Sequence, residues 1–156
     1  MAHEQSTIHV KLKWAVSTDT EGTRPASGFT TLPGLKSLPA TGDAPNTLQV
    51  TDLDDEWHRY IPGVQDVGGA REYTFNDTAD VRTAWAALKA AYVQAEQDGK
   101  IIWFEETFPG TGVDSFYFAG IPSNYVVNDR SVDAVIEGTG YITPNLVAGF
   151  AQASTT

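Results

Sequence analysis

The sequence predicts a mainly β fold with one α-helix, a β-sandwich or barrel flanked by a single amphipathic helix and carrying a long inter-subunit loop. Three observations carry that prediction. The segment from Ile8 to Val16 alternates, with Ile8, Val10, Leu12, Trp14 and Val16 on one face and His9, Lys11 and Lys13 on the other, which is the period-two pattern of a half-buried strand. One stretch, from Thr78 to Asp98, has convincing helical periodicity. The remaining apolar runs are short and are punctuated by Gly, Pro and Asn.

After the first strand the pattern stops. Residues 17–46, STDTEGTRPASGFTTLPGLKSLPATGDAPN, are rich in Ser, Thr, Pro and Gly, yet dotted with Phe29, Leu32, Leu35 and Leu38. Connections in compact domains are mostly about 4–6 residues, and solvated linkers seldom carry spaced apolar side chains. The segment reads as an arm that docks on something, another subunit being one option, with those four residues as candidate inter-subunit or inter-ring contacts. Deleting residues 22–42 is then expected to leave a folded monomer unable to polymerise.

Thr47 to Thr51 reads as a strand leading into TDLDDEWH, which sets three aspartates, a glutamate and a histidine within eight residues. Turns at Pro62-Gly63 and Gly68-Gly69 precede a strand from Glu72 to Phe75. Asp77 or Thr78 can cap the helix, Asp80 adds an acid to its first turn, and Gly99 can end it. Val81, Trp85, Leu88, Tyr92 and Ala95 recur at spacings of 4, 3, 4 and 3, forming one apolar stripe for a sheet to cover. Further strands are expected over Lys100–Phe108, Asp114–Ile121 and Ser131–Thr143. Ile101 to Phe104 are consecutively apolar, so that strand should be covered on both faces. The tail, residues 146–156, loses periodicity and is a candidate flexible or docking terminus.

At 156 residues the chain is one domain, long enough to bury a core without staples, and it has no cysteine for a disulfide or a thiolate site. The N-terminus lacks the basic and apolar regions of a secretory signal, and no run approaches the roughly 20 apolar residues that cross a bilayer, so no membrane partner is expected. Ten basic residues against twenty acidic ones give a net charge of −10. Gripping nucleic acid requires the opposite balance, because affinity comes largely from neutralising phosphates.

The sequence carries no recognisable catalytic or metal-binding motif. Aligned as an EF-hand loop from Asp52, the acidic stretch puts Trp57 where Gly must turn and Gly63 where a bidentate Glu belongs. The histidines at 3, 9 and 58 lack zinc spacing. Glu105 and Glu106 are adjacent on a strand and must point to opposite faces, so they cannot converge on one bond. No G-x-S-x-G occurs, and Gly138-Thr139-Gly140 lacks the third glycine of a dinucleotide fingerprint, so it reads as glycines within a strand. No enzyme activity, cofactor or metal is expected.

The order of these segments, with FTTLPGLKSLPATGDAPNTLQVTDLDDEWHRYIPG, the IPGVQD turn, the IIWFE strand and the closing GTGYITP strand, resembles the tail tube (major tail) protein family of long-tailed bacteriophages. The likeness runs from about Ile8 to Asn145. It implies a small β-sandwich or barrel with a flanking helix, six copies of which close into a ring. Rings stack into a tube that delivers DNA, with loops and termini bridging subunits. The implied partners are further copies of the chain, the tape measure, tail-tip and tail-terminator proteins, and DNA that passes without specific binding. The implied location is the virion tail, assembled in the host cytoplasm. An acidic lumen would repel phosphates and let DNA slide. Asp52, Asp54, Asp55 and Glu56 are then candidate lumen or ring-contact acids, and the sequence does not choose between the two. A tube subunit of a contractile tail or secretion system is the nearest alternative. A β-sandwich carbohydrate-binding or adhesin module is a more distant one.

Overall fold

In the computed structural model, which describes residues 9–41, 47–63, 69–110 and 112–155, the alternating N-terminal segment forms β1 (Leu12–Val16). It is followed by β2 (Thr30–Thr31), β3 (Leu35–Ser37), β4 (Thr47–Gln49), β5 (Tyr60–Pro62) and β6 (Arg71–Asn76). The helix α1 (Ala79–Gln97) precedes β7 (Ile102–Glu106), β8 (Ser115–Val127) and β9 (Glu137–Ala151). Seven strands join in one antiparallel sheet, in the order β2-β1-β7-β8-β9-β6-β3, while β4 and β5 form a separate hairpin.

The two outermost strands of the large sheet, β2 and β3, are joined by Leu32-Pro33-Gly34 alone. In a flat seven-stranded sheet they would lie about 29 Å apart at ~4.8 Å per strand. The connector can reach only about 14 Å at ~3.6 Å per residue. The sheet therefore has to curl until its edges nearly meet. Leu32 N donates to Leu12 O on β1 at 2.9 Å, and Asn76 N on β6 donates to Gly34 O at 2.9 Å, so this one segment is held by both sides. The result is a barrel closed by a short strap.

The helix α1 packs one stripe against the sheet and leaves its opposite face in solvent. The Thr78 hydroxyl accepts a hydrogen bond from Val81 N, and Gly99, with φ +71°, ends the helix in the left-handed conformation that lacks a Cβ penalty. Val81, Trp85, Leu88 and Ala95 are buried against Leu12, Tyr73, Phe75, Phe104, Phe118 and Ile142. Burying one such side chain stabilises the fold by about 1.5–3 kcal/mol. Gly138 and Gly140 on β9 leave room for this packing. A Cβ on Gly140 would sit 2.6 Å from the Trp85 ring, and one on Gly138 would run into the Tyr125 phenol.

All five residues of β7 are buried, as the run Ile101–Phe104 requires of a strand covered on both faces. Ile102 and Phe104 face the helix, while Trp103 packs with Tyr117 and Ala119 on the outer face.

Several boundaries differ from the sequence reading, among them that of β8, expected to end at Ile121 but running on to Val127. Ile8 lies outside the described residues, and the first strand begins at Leu12. The strand expected from Ser131 begins only at Glu137. Ser131–Ile136 is an exposed loop in which Asp133 has φ +61° and Val132 and Val135 face solvent, so apolar content alone had mimicked a strand. The tail is strand rather than loose terminus as far as Ala151. Register shifts at Tyr117/Phe118 and Ala119/Gly120 along β8 break the alternation by which β9 would be read. Beyond it, Thr155 N donates to Ala26 O and tethers the end to the segment before β2.

Candidate functional site

The acidic stretch forms the tip of the β4–β5 hairpin. Leu48 pairs with Ile61 and Gln49 with Tyr60, and Val50 N donates to Arg59 O at 2.9 Å, carrying the ladder one step further. The turn is then closed by its own side chains. Arg59 N donates to Thr51 Oγ1 at 2.9 Å, Asp54 N to Asp52 Oδ1 at 3.0 Å, and Asp52 N to Asp55 Oδ2 at 2.9 Å. Arg59 Nε lies 2.9 Å from Asp55 Oδ2. Asp52 and Asp55 therefore act as turn formers, a role suited to aspartate because its short carboxylate reaches nearby backbone amides. Asp54 and Glu56 stand exposed at the tip. Gln49 Nε2 lies 2.8 Å from His58 Nδ1, which ties the histidine to the hairpin stem. Among the described residues no three His, Asp or Glu side chains are placed to hold a metal ion.

The hairpin is also apolar to an unusual degree for a surface element. Leu53 is 105 % exposed and Trp57 81 %, and Leu48, Val50, Tyr60 and Ile61 are exposed below them. Large apolar side chains exposed together on one hairpin mark a candidate contact surface.

The four apolar residues of the 17–46 segment are turned the other way. Leu32 is buried, and Leu35 and Leu38 pack half-buried against the same core. Phe29 packs on Tyr117, ring centroids 5.9 Å apart. Their sequence pattern is that of a docking arm, but the body they dock on is their own chain. Residues 42–46 of the segment lie outside the described residues. Removal of 22–42 would take out the strap that closes the barrel, so that deletion is expected to unfold the protein rather than leave a monomer.

Glu105 and Glu106 lie on opposite faces of β7, each with its own partners. Glu106 Oε1 is 2.6 Å from Arg71 Nη2 and accepts the Tyr73 hydroxyl at 2.5 Å, while Thr41 Oγ1 donates to Oε2 at 2.8 Å. Burial, reinforced by the Glu106 charge, pushes the Tyr73 phenol well above its ordinary value. Burial works against the Arg71 charge, but Tyr73 and Glu106 outweigh it and raise its pKa. Glu105 accepts from Ser154 N at 3.1 Å and Ser154 Oγ at 3.0 Å, pinning the tail. Tyr117, whose hydroxyl donates to Gln152 O at 2.7 Å, is likewise raised by burial and by Glu105. The hint in the sequence was two acids inside an otherwise apolar strand, a pattern that demands buried partners. Arg71, distant in sequence, carries no mark that would name it.

No family model matches the sequence, and no curated protein matches it either. Solved structures do. The chain is similar, with a TM-score of 0.59 and 7 % identity, to a chain of the anti-feeding prophage baseplate determined by cryo-EM with 6-fold symmetrisation, covering 96 % of this chain and 97 % of that one. It is similar, with a TM-score of 0.57 and 15 % identity, to a chain of the tail of an empty gene transfer agent particle refined with C6 symmetry, covering 98 % and 100 %. At such identities the likeness is one of fold, and it runs end to end: the chain has the fold of components of a prophage baseplate and of a gene transfer agent tail.

Proposed function

We propose that this chain is a structural, non-enzymatic subunit of a bacteriophage-type tail tube, closing into six-membered rings that stack around a lumen for DNA. The observation that carries the proposal is the end-to-end fold likeness to equally long chains in two assemblies of six-fold symmetry. An exposed apolar hairpin supports it, because a subunit that polymerises needs surface reserved for its neighbours. So does the net charge of −10, since an acidic wall repels phosphates and leaves DNA free to slide. Head-to-tail stacking of rings gives an open filament, as heterologous contacts do when they do not close. In this reading the protein resides in the virion tail after assembly in the host cytoplasm. It meets tape measure, tail-tip and tail-terminator proteins at the two ends of the tube.

A second reading, favoured by the likeness to a baseplate chain, makes the protein a single terminal ring from which a tube starts. Negative-stain electron microscopy of the purified protein separates the two. Tubes of uniform width support the first reading and discrete rings the second. A monomer at high concentration overturns both.

A further inference from the structure

Five of the ten lysines and arginines of this acidic chain are engaged with partners among the described residues. Lys36 pairs with Glu137, Arg59 with Asp55, Arg71 with Glu106 and Arg82 with Asp77, and the Arg24 guanidinium lies 3.9 Å over the Tyr117 ring. Of the other five, Lys11 and Lys13 lie close together. Lys13 on β1 and Lys11 just before it flank Leu12 and share the outer side of the sheet, where together with His9 they line a cleft of about 320 Å³. The one acid among its described lining residues, Glu105, is in register with Lys13 and has both oxygens taken by Ser154. The cleft is therefore net basic on a chain of charge −10.

Two further observations show that it is shaped for an occupant. Phe108 and Val113 give it an apolar wall. Ser115, 1 % exposed, also lines it, and its hydroxyl has no hydrogen-bond partner among the described residues. A buried hydroxyl without a partner costs free energy until one arrives. The fitting ligand carries negative charge, a hydrogen-bond acceptor and an apolar side chain together.

One segment of the same protein has that chemistry: Leu53-Asp54-Asp55-Glu56-Trp57 at the hairpin tip. Asp54 and Glu56 are exposed, and Leu53 and Trp57 stand open to solvent among the described residues. Full exposure means that the tip does not occupy its own cleft. We propose that the hairpin tip of one copy seats in the Lys11–Lys13 cleft of another, Asp54 and Glu56 meeting the lysines while Trp57 covers the apolar wall. This rests on the self-assembly proposed above and assigns the tip acids to a contact between copies rather than to the lumen.

A charge swap in the full-length protein tests it, with assembly followed by light scattering and folding by circular dichroism. Lys11→Glu with Lys13→Glu should raise the concentration needed for assembly more than about tenfold, because like charges across an interface exclude a partner. Asp54→Lys with Glu56→Lys should do the same, and the chain carrying all four substitutions should recover assembly. If an acidic cleft disturbs folding, Lys11→Gln with Lys13→Gln should still weaken assembly and reduce its sensitivity to salt. Unaltered assembly by folded variants, or no recovery in the fourfold variant, overturns the docking and leaves the tube reading standing. A wild-type protein that never assembles overturns both.

Discussion

Arg71 Nη2 lies 2.6 Å from Glu106 Oε1, joining β6 to β7 across the interior of the barrel with both side chains almost wholly buried. Neither strand is the other's neighbour in the sheet, so this ion pair spans the curl that the strap closes. Removing one partner of a buried pair strands the other charge, at a cost of about 3–5 kcal/mol. Arg71→Met should therefore destabilise the protein by about that amount in urea unfolding. Glu106→Gln, which keeps one acceptor oxygen for Tyr73 and turns an amide N–H toward the Thr41 hydroxyl, should cost less. A loss below about 1 kcal/mol for Arg71→Met would place the pair at a solvated surface instead.

Gly140→Ala tests the packing of the helix into the sheet. The new methyl would meet two carbons of the Trp85 ring at 2.6 Å, and Trp85 is held in place by a hydrogen bond to Ser123 O and by neighbouring Phe75 and Tyr125. Overpacking of this kind costs about 1–3 kcal/mol. Thermal unfolding should show that loss with little change in the far-ultraviolet spectrum. A neutral outcome would mean that the helix rides further from β9.

Stability should fall on the alkaline side. Burial, followed by the hydrogen bond to Asp77 and its charge, pushes the Tyr125 phenol up from 10.0 to about 12. A raised folded value means that this phenol's contribution is complete below about pH 10 and is lost as the pH rises through about 12. Tyr73 and Tyr117, raised mainly by burial, act in the same direction. Unfolding midpoints measured from neutral pH upward should hold and then drop across that window, and Tyr125→Phe should make the drop shallower. A midpoint that rises there would contradict the buried phenols.

Calcium should not matter. The aspartates at 52 and 55 are committed to turn hydrogen bonds and to Arg59. A metal site at 100 times its Kd would add ~2.7 kcal/mol, which in a chain of this size moves Tm by about 2–4 °C per kcal/mol. Melting curves in millimolar calcium and in chelator should superimpose. A separation of several degrees would restore a metal site to the tip.

How far the sequence discloses this protein can be read residue by residue. The helix is plain, because its stripe and caps depend on neighbours a few positions away: Thr78 caps it and Val81, Trp85 and Leu88 are buried. β7 is plain as well, since four apolar residues in a row leave no solvent face. Closure is hidden. β2 and β3 are two and three residues long, too short for any period, and what makes them strands is their pairing with β1 and β6, which the bonds of Leu32 and Gly34 continue. Phe29, Leu32, Leu35 and Leu38 advertise docking truthfully, but local pattern carries no address, and the target is their own core. At the hairpin, TDLDDEWH shows its charge and not its bonding. Asp52 and Asp55 look equivalent to Asp54 and Glu56 until the turn geometry separates turn formers from exposed acids.

The most direct test of the central claim is cryo-EM of the purified protein at high concentration. Tubes are expected whose cross-sections average to six subunits, with the β4–β5 hairpin of each copy covered by a neighbour and Trp57 no longer in solvent. Particles that remain monomeric, with Trp57 as open to solvent at high concentration as at low, would contradict that claim.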